Sequence, residues 1–251
     1  MKLLLYLFFI LNICLNAKDT ELKKIFNDFN VDGTIVIESL QKQTKYIYND
    51  KRANTFFSPA STFKIPNTLI ALNEELVNKD SIILWDKQIR EYESWNKNQT
   101  LESAFKTSCV WCYQEFASKI DKNKYKNYLE ELNYGNKIIG DNITDFWLDE
   151  SLKITAYGQI EFLKRLYKND LPFKIENIDA LKEIMIDEKT NDYIIRAKTG
   201  WEGKYGWYVG YIETKDDVYF FATNINTKSK DDLAKRKKIT LEALKIKGVI
   251  K

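Results

Sequence analysis

Ser61-Thr62-Phe63-Lys64 sets a hydroxyl and an amine three residues apart. On a helix that spacing shares one face, so Ser61 and Lys64 can meet at the start of a helix, where the helix N-terminus favours a developing negative charge. A serine hydroxyl becomes a nucleophile only beside a base. The chain contains 0 histidines. That excludes a Ser-His-Asp triad, a Cys-His pair and His-containing zinc sites. Acid–base work near neutral pH then falls to a carboxylate, a perturbed Lys, a Tyr or a modified side chain. A neutral lysine is a sound choice, because burial against Phe63 and other apolar groups disfavours its ammonium form. Alone, the spacing is weak: an N-cap serine beside a solvated lysine has the same signature.

Lys198-Thr199-Gly200 follows the apolar run Tyr193 to Ala197. Lys and Thr on a strand present donors to an anionic substrate, and Gly permits close backbone approach. In this order, Ser-x-x-Lys and Lys-Thr-Gly are the paired motifs of penicillin-recognising serine enzymes. Further short motifs narrow the reading: Ser108-Cys109-Val110, Tyr134-Gly135-Asn136 and Phe146-Trp147-Leu148, with Arg236 in the later segment Leu233 to Ile239. Together, from about residue 20 to the end, the chain resembles the class D, oxacillinase-type, serine β-lactamases. The Ser-Asp-Asn motif of class A is absent. Two departures are small: Cys109 stands where the family is usually small and apolar, and Asp149 where Glu is frequent.

The resemblance implies a role for each residue. Ser61 attacks the lactam carbonyl and forms an acyl-enzyme. Lys64, carbamylated by carbon dioxide (N6-carboxylysine), is the general base for acylation and deacylation. The indole N–H of Trp147 holds the carbamate, and Phe63, Val110 and Leu148 form the apolar wall. Ser108 relays a proton to the leaving nitrogen, helped by Lys198. Thr199, Gly200 and Arg236 bind the substrate, Thr199 and Arg236 at its carboxylate. The backbone N–H groups of Ser61 and Trp201 form the oxyanion hole. No metal or organic cofactor is implied, only carbon dioxide or bicarbonate. The expected partners are β-lactams, penicillins and oxacillin-like drugs, and the chain is expected to be a monomer or homodimer. The rival readings are a β-lactam sensor domain that acylates without turnover, and a D,D-peptidase. Among the residues, Arg236 could instead belong to a solvated basic helix face. Tyr134-Gly135-Asn136 could be chiefly a turn, and Trp95 could border the mouth or lie in the core.

The chain of 251 residues is 44% hydrophobic and 14% aromatic, enough for a substantial core. Its net charge of +3, with both signs mixed, does not suggest a nucleic-acid surface. Lys2 followed by an apolar run from Leu3 to Leu15 reads as a signal peptide over residues 1–17, too short to span a bilayer, and implies a periplasmic location with no membrane attachment after cleavage. Ile13 before Cys14 argues against lipidation. Gly33 to Leu40 and Gln43 to Asn49 read as a hairpin. Helical periodicity runs from Ser61, then over Leu101 to Ile120, Lys124 to Leu132 and Thr155 to Tyr167. Tyr193 to Thr199, Tyr205 to Glu213 and Val218 to Ile225 read as strands, and Asp231 to Lys247 as a closing helix. That order predicts an α/β (α+β) fold: an antiparallel sheet from both chain ends, flanked by helices, with an all-helical insert. Residues 18–251 would form one penicillin-recognising domain, its α/β part at about 18–58 and 176–251 and its helical part at about 59–175. In an exported chain Cys109 and Cys112 would form a short disulfide or stay two buried thiols; three apart on one expected helix face they are awkwardly placed for a bridge, which favours the thiols.

Overall fold

The computed structural model describes residues 19–251; the signal-peptide expectation and Cys14 lie outside them. The chain opens with α1 (Thr20–Asp28), β1 (Gly33–Ser39), β2 (Lys45–Tyr48) and the single turn α2 (Asp50–Ala53). A 3-10 turn, Ala60–Phe63, leads into α3 (Lys64–Asn73). The short pair β3 (Ile82–Ile83) and β4 (Gln99–Thr100) precedes α4 (Leu101–Lys106), α5 (Val110–Ser118), α6 (Lys122–Glu131), α7 (Ala156–Tyr167) and α8 (Ile175–Ile184). The chain ends with β5 (Ile186–Lys189), β6 (Tyr193–Trp201), β7 (Tyr205–Thr214), β8 (Val218–Asn226) and α9 (Leu233–Ile246).

The main sheet has the order β2-β1-β8-β7-β6-β5, with every neighbouring pair antiparallel. Strands from both chain ends therefore meet at β1–β8, as the sequence order implies. Strand β1 is buried along its whole length, because both faces of the sheet are covered. Alternate residues serve the two faces. Ile35 and Ile37 join Leu22, Phe26, Ile239 and Ala243 under α1 and α9. Val36 faces the larger core formed with the helical region, where Phe63, Leu69, Phe146 and Trp147 pack.

Several expectations change in detail. The helix expected over Leu101 to Ile120 is two helices, broken at Ser108, whose φ is 57°. Helix α4 begins with a capping box, Thr100 and Ser103 each accepting from the other's backbone N–H. Ser61 stands on the 3-10 turn one step before α3 rather than within an α-helix. Helices α1 and α8 and strand β5 were not foreseen. Thr155 caps α7 by accepting from the Gly158 N–H, which is the boundary that periodicity suggested.

The two-thiol reading of Cys109 and Cys112 is overturned, for these residues form a disulfide. It assumed that both residues share one helix. Instead Cys109 is the N-cap of α5, with φ −52° and ψ 106°. That extended backbone brings the Cα atoms 5.5 Å apart, inside the span a bridge requires.

Candidate active site

The Ser61 turn is held by contacts from three distant segments. Ser58 Oγ and the Ala60 N–H both donate to the Trp147 carbonyl, at 2.8 and 3.1 Å. The Trp207 indole N–H donates to the Ser58 carbonyl at 2.8 Å, and Gln159 Nε2 to Thr62 Oγ1 at 2.9 Å. These contacts matter because Ala60 has φ 46°, a left-handed conformation that costs a non-glycine residue about 1–2 kcal/mol. Surrounding structure must over-determine such a residue, and here it does so one position before the candidate nucleophile.

Gly200 explains how strand β6 meets this turn. A Cβ there would lie 2.8 Å from the Pro59 carbonyl oxygen and 3.2 Å from the Thr62 backbone nitrogen. Only a glycine lets the strand backbone come this close to the backbone of the turn. The same contact draws the Gly200–Trp201 backbone alongside Ser61. Gly206, the β7 partner of Trp201, leaves room for Arg236, whose Cδ lies 2.6 Å from where a Cβ would stand.

Lys64 is 1% exposed. Its Nζ lies 3.2 Å from Ser61 Oγ and 4.8 Å from the centroid of the Tyr113 ring. No carboxylate pairs with it among the described residues. Burial alone pushes its amine down to about 7, so a large share of it is neutral near physiological pH. Trp147 stacks on Phe63 at a centroid distance of 5.6 Å, and both are fully buried. The indole Nε1 of Trp147 is buried with no acceptor. A buried N–H left without a partner costs free energy, so this orphan donor marks a place for an acceptor.

The second lysine has a different setting. Lys198 Nζ donates to Ser108 Oγ at 2.5 Å and to the Thr199 carbonyl at 3.1 Å. Burial, with repulsion from Lys64 and Arg236, holds its amine well below the usual lysine range. Arg236 is no solvated helix residue. It is 9% exposed, with Nη1 donating to the Gly200 carbonyl at 2.6 Å and Nε to the Leu233 carbonyl at 2.7 Å. Burial lowers it to about 10.

The structure thus gathers Ser61, Lys64, Ser108, Lys198 and Gly200 around one point, with Arg236 bonded to the strand backbone beside it. Val110 is half-buried at the first position of α5, two residues beyond Ser108. Leu148 is half-buried next to Trp147, and Thr199 and Trp201 are half-buried on β6. The Trp201 indole is turned to Thr227 Oγ1, at 3.1 Å. Phe63 is fully buried between Trp147, Phe146 and Tyr134. Trp95 lies partly in the core and donates to the Thr107 carbonyl, beside Ser108.

Tyr134-Gly135-Asn136 is a turn with a bracing task. Gly135 has φ 58°, and a Cβ there would meet the Lys153 carbonyl oxygen at 2.2 Å. Asn136 bonds the Lys153 N–H and the Ser151 carbonyl, each at 2.9 Å. It therefore fastens the segment that follows Trp147. Sequence reasoning missed Tyr113, Ser58, Gln159 and Trp207. Tyr113 lies three residues beyond Val110, so helical spacing was a signal for it. The other three act through contacts between segments remote in sequence. Among the described residues, no group of three or more His, Cys, Asp or Glu side chains is placed to hold a metal ion.

Comparison with known proteins places the chain in a family. Residues 15–245 match the family model of the penicillin binding protein transpeptidase domain. Beta-lactamase OXA-20 of Pseudomonas aeruginosa is 46% identical over 220 residues, covering 86% of this chain and 83% of that protein. Beta-lactamase OXA-48 of Klebsiella pneumoniae is 42% identical over 230 residues, covering 90% and 87%. The crystal structure of FUS-1 (OXA-85), a class D β-lactamase from Fusobacterium nucleatum subsp. polymorphum, superposes with a TM-score of 0.90 at 40% identity, covering 93% of this chain and 100% of that one.

Proposed function

The chain belongs to the class D β-lactamases, and from that premise we propose that it hydrolyses β-lactams through an acyl-enzyme on Ser61, with Lys64 carbamylated as the base. The observation that carries the reading is the sealed pocket of Lys64. Its amine is shifted toward the free form, 3.2 Å from the hydroxyl it must activate, and Trp147, stacked on the adjacent Phe63, carries a buried N–H without a partner. Addition to carbon dioxide needs a free amine, and a buried anion needs a placed donor. Both requirements are met by residues present. When formed, the carbamate supplies an anionic base able to accept a proton from a hydroxyl or a water.

The chain's own residues then divide the work. Ser61 Oγ loses its proton to the Lys64 side and bonds the lactam carbonyl carbon. The backbone N–H groups of Ser61 and Trp201 receive the developing oxyanion. As the C–N bond breaks, Ser108 passes its proton to the departing nitrogen and is resupplied by Lys198, which already shares a hydrogen bond with it. Thr199 donates its hydroxyl and Arg236 its guanidinium to the substrate carboxylate. The positive charge of Arg236, with Lys198 beside it when protonated, makes the site attractive to that anion. Water then attacks the ester carbon, its proton leaving toward Lys64, and the ester bond to Ser61 breaks with return of the proton to Oγ. Phe63, Val110 and Leu148 keep the base in apolar surroundings.

The same proposal takes residues 1–17 as a cleaved signal, 18–251 as one catalytic domain and the periplasm as the working compartment. There, hydrolysis would protect cell-wall synthesis and confer resistance. Among the described residues, no helix is long and apolar enough to cross a membrane. The test is steady-state turnover of a chromogenic cephalosporin by residues 18–251, with and without bicarbonate, alongside 13C NMR of protein equilibrated with labelled bicarbonate. Many turnovers and a carbamate resonance are expected. A single stoichiometric burst would overturn the hydrolase in favour of a sensor. Turnover with no resonance and no bicarbonate dependence would remove the carbamate.

A further inference from the structure

The Cys109–Cys112 disulfide adjoins Ser108, the site's second hydroxyl residue. Ser108 immediately precedes the bridge and Val110 lies inside its ring. Both cysteines are 0% exposed. Ser108 has φ 57°, a conformation that non-glycine residues adopt only when held there. On its N-terminal side the hold is backbone: Ser108 N–H donates to the Phe105 carbonyl at 3.2 Å and Cys109 N–H to the Ala104 carbonyl at 2.9 Å. On its C-terminal side the hold is the bridge, which ties the extended Cys109 to the first turn of α5, with Cys112 N–H donating to Cys109 Sγ at 3.3 Å. The residue so bracketed is the one whose Oγ accepts from Lys198 Nζ at 2.5 Å.

So short a ring removes little entropy from the unfolded chain, since that effect grows with the length of the loop closed. Chain entropy alone therefore gives no reason for a bridge at this place beside Ser108. Burial of both sulfurs also argues against a reversible switch, which needs exposed, attackable sulfur. We propose that the Cys109–Cys112 disulfide is a positioning element of the active site: it locks Ser108 in the left-handed conformation that keeps Oγ on Lys198 Nζ. The inference rests on the reading of Ser108 and Lys198 as the proton path to the leaving nitrogen. A chain folded without the bridge would let Ser108 relax, and the hydroxyl would leave the lysine. Misplacement on the scale of 1 Å is enough to cost about 10- to 100-fold in rate.

The experiment compares wild type with the Cys109→Ala/Cys112→Ala double variant in residues 18–251. Alkylation of unreduced, denatured wild type, followed by peptide mass analysis, first reads the bridge itself. Neither cysteine should be modified, and two alkylated cysteines would overturn the proposal. In the double variant the acylation rate constant should fall about 10-fold, the alkaline limb of its pH profile should move, and the 13C carbamate signal should stay. An unchanged rate and pH profile, even with a lower Tm, would make the bridge merely structural and sink the idea. If the double variant does not fold, wild type reduced in denaturant and refolded with reductant present gives the same comparison. Because acylation is read by covalent mass gain, the result stands apart from turnover. A wild type that acylates without turning over fails as a hydrolase, while its variant still reports on the bridge.

Discussion

Two buried lysines, Lys64 and Lys198, belong to the candidate site, and their hydrogen-bonding neighbourhoods differ. Around the Lys64 amine the one hydrogen-bond partner among the described residues is the Ser61 hydroxyl and the rest is aromatic: the Tyr113 ring, and the adjacent Phe63 stacked on Trp147, whose N–H has no acceptor. Around Lys198 the partners are acceptors, the Ser108 hydroxyl and the Thr199 carbonyl. Burial lowers both amines. A lowered amine beside an idle donor is suited to become an anion. A lowered amine held by two acceptors, a hydroxyl and a carbonyl, is suited to hold a proton and hand it over. In the proposed mechanism the same physical shift serves opposite ends of one reaction, and the local hydrogen-bond inventory selects which.

Removing each lysine's defining partner should break this contrast unequally. Lys64→Ala deletes the base, and kcat/KM should fall by about 10²–10⁴, read with a chromogenic cephalosporin. Retention of wild-type rate would transfer the base role elsewhere. Next in size, Trp147→Phe keeps a ring against Phe63 but removes the N–H. Loss of one hydrogen bond to a charged group is worth about 1.5–3 kcal/mol, and added bicarbonate should recover part of the activity. A loss that bicarbonate does not touch would mean that the indole works only by packing. Ser108→Ala should slow acylation by about 10²-fold or less while leaving the carbamate resonance in place, since it touches the Lys198 side alone.

A pH series sharpens the comparison further. Lys64 titrates at about 7, below the free-lysine value of 10.5, because burial opposes its charged form. The amine is free above that pH and protonated below it, so carbamate should be lost as pH falls through about 7, and bicarbonate dependence should steepen there. The smallest effect is expected from Arg236→Ala, a rise in KM of about 10-fold for carboxylate-bearing substrates, with little change in carbamate. An equal loss on Lys64 labelling would show that Arg236 acts through the Gly200 carbonyl it now holds.

Much of this was legible before any fold was known. The absence of histidine turned attention to a lysine base, and spacing put Ser61 and Lys64 together. Apolar runs rich in β-branched and aromatic residues identified β6, β7 and β8, and these strands are buried along most of their length because the sheet is covered on both sides. Local rules failed where local conformation is dictated from afar. The break at Ser108 has no Gly or Pro to announce it, because a left-handed serine is sustained by the ends of two helices. For the same reason the Cys109–Cys112 bridge was misread: a single-helix assumption gave the wrong Cβ directions.

What the sequence by itself determined, then, is the cast of chemical groups and their local spacing, since these follow from residue type and from the periods of helix and strand. Only the tertiary structure decided their protonation and their partners. It sealed Lys64 in an apolar pocket, left the Trp147 N–H without an acceptor, pressed Gly200 against the Ser61 turn and turned Arg236 from a basic surface run into a buried ligand of strand β6. Those outcomes depend on desolvation and on contacts between segments as distant as Ser58 and Trp207, quantities that no local window contains.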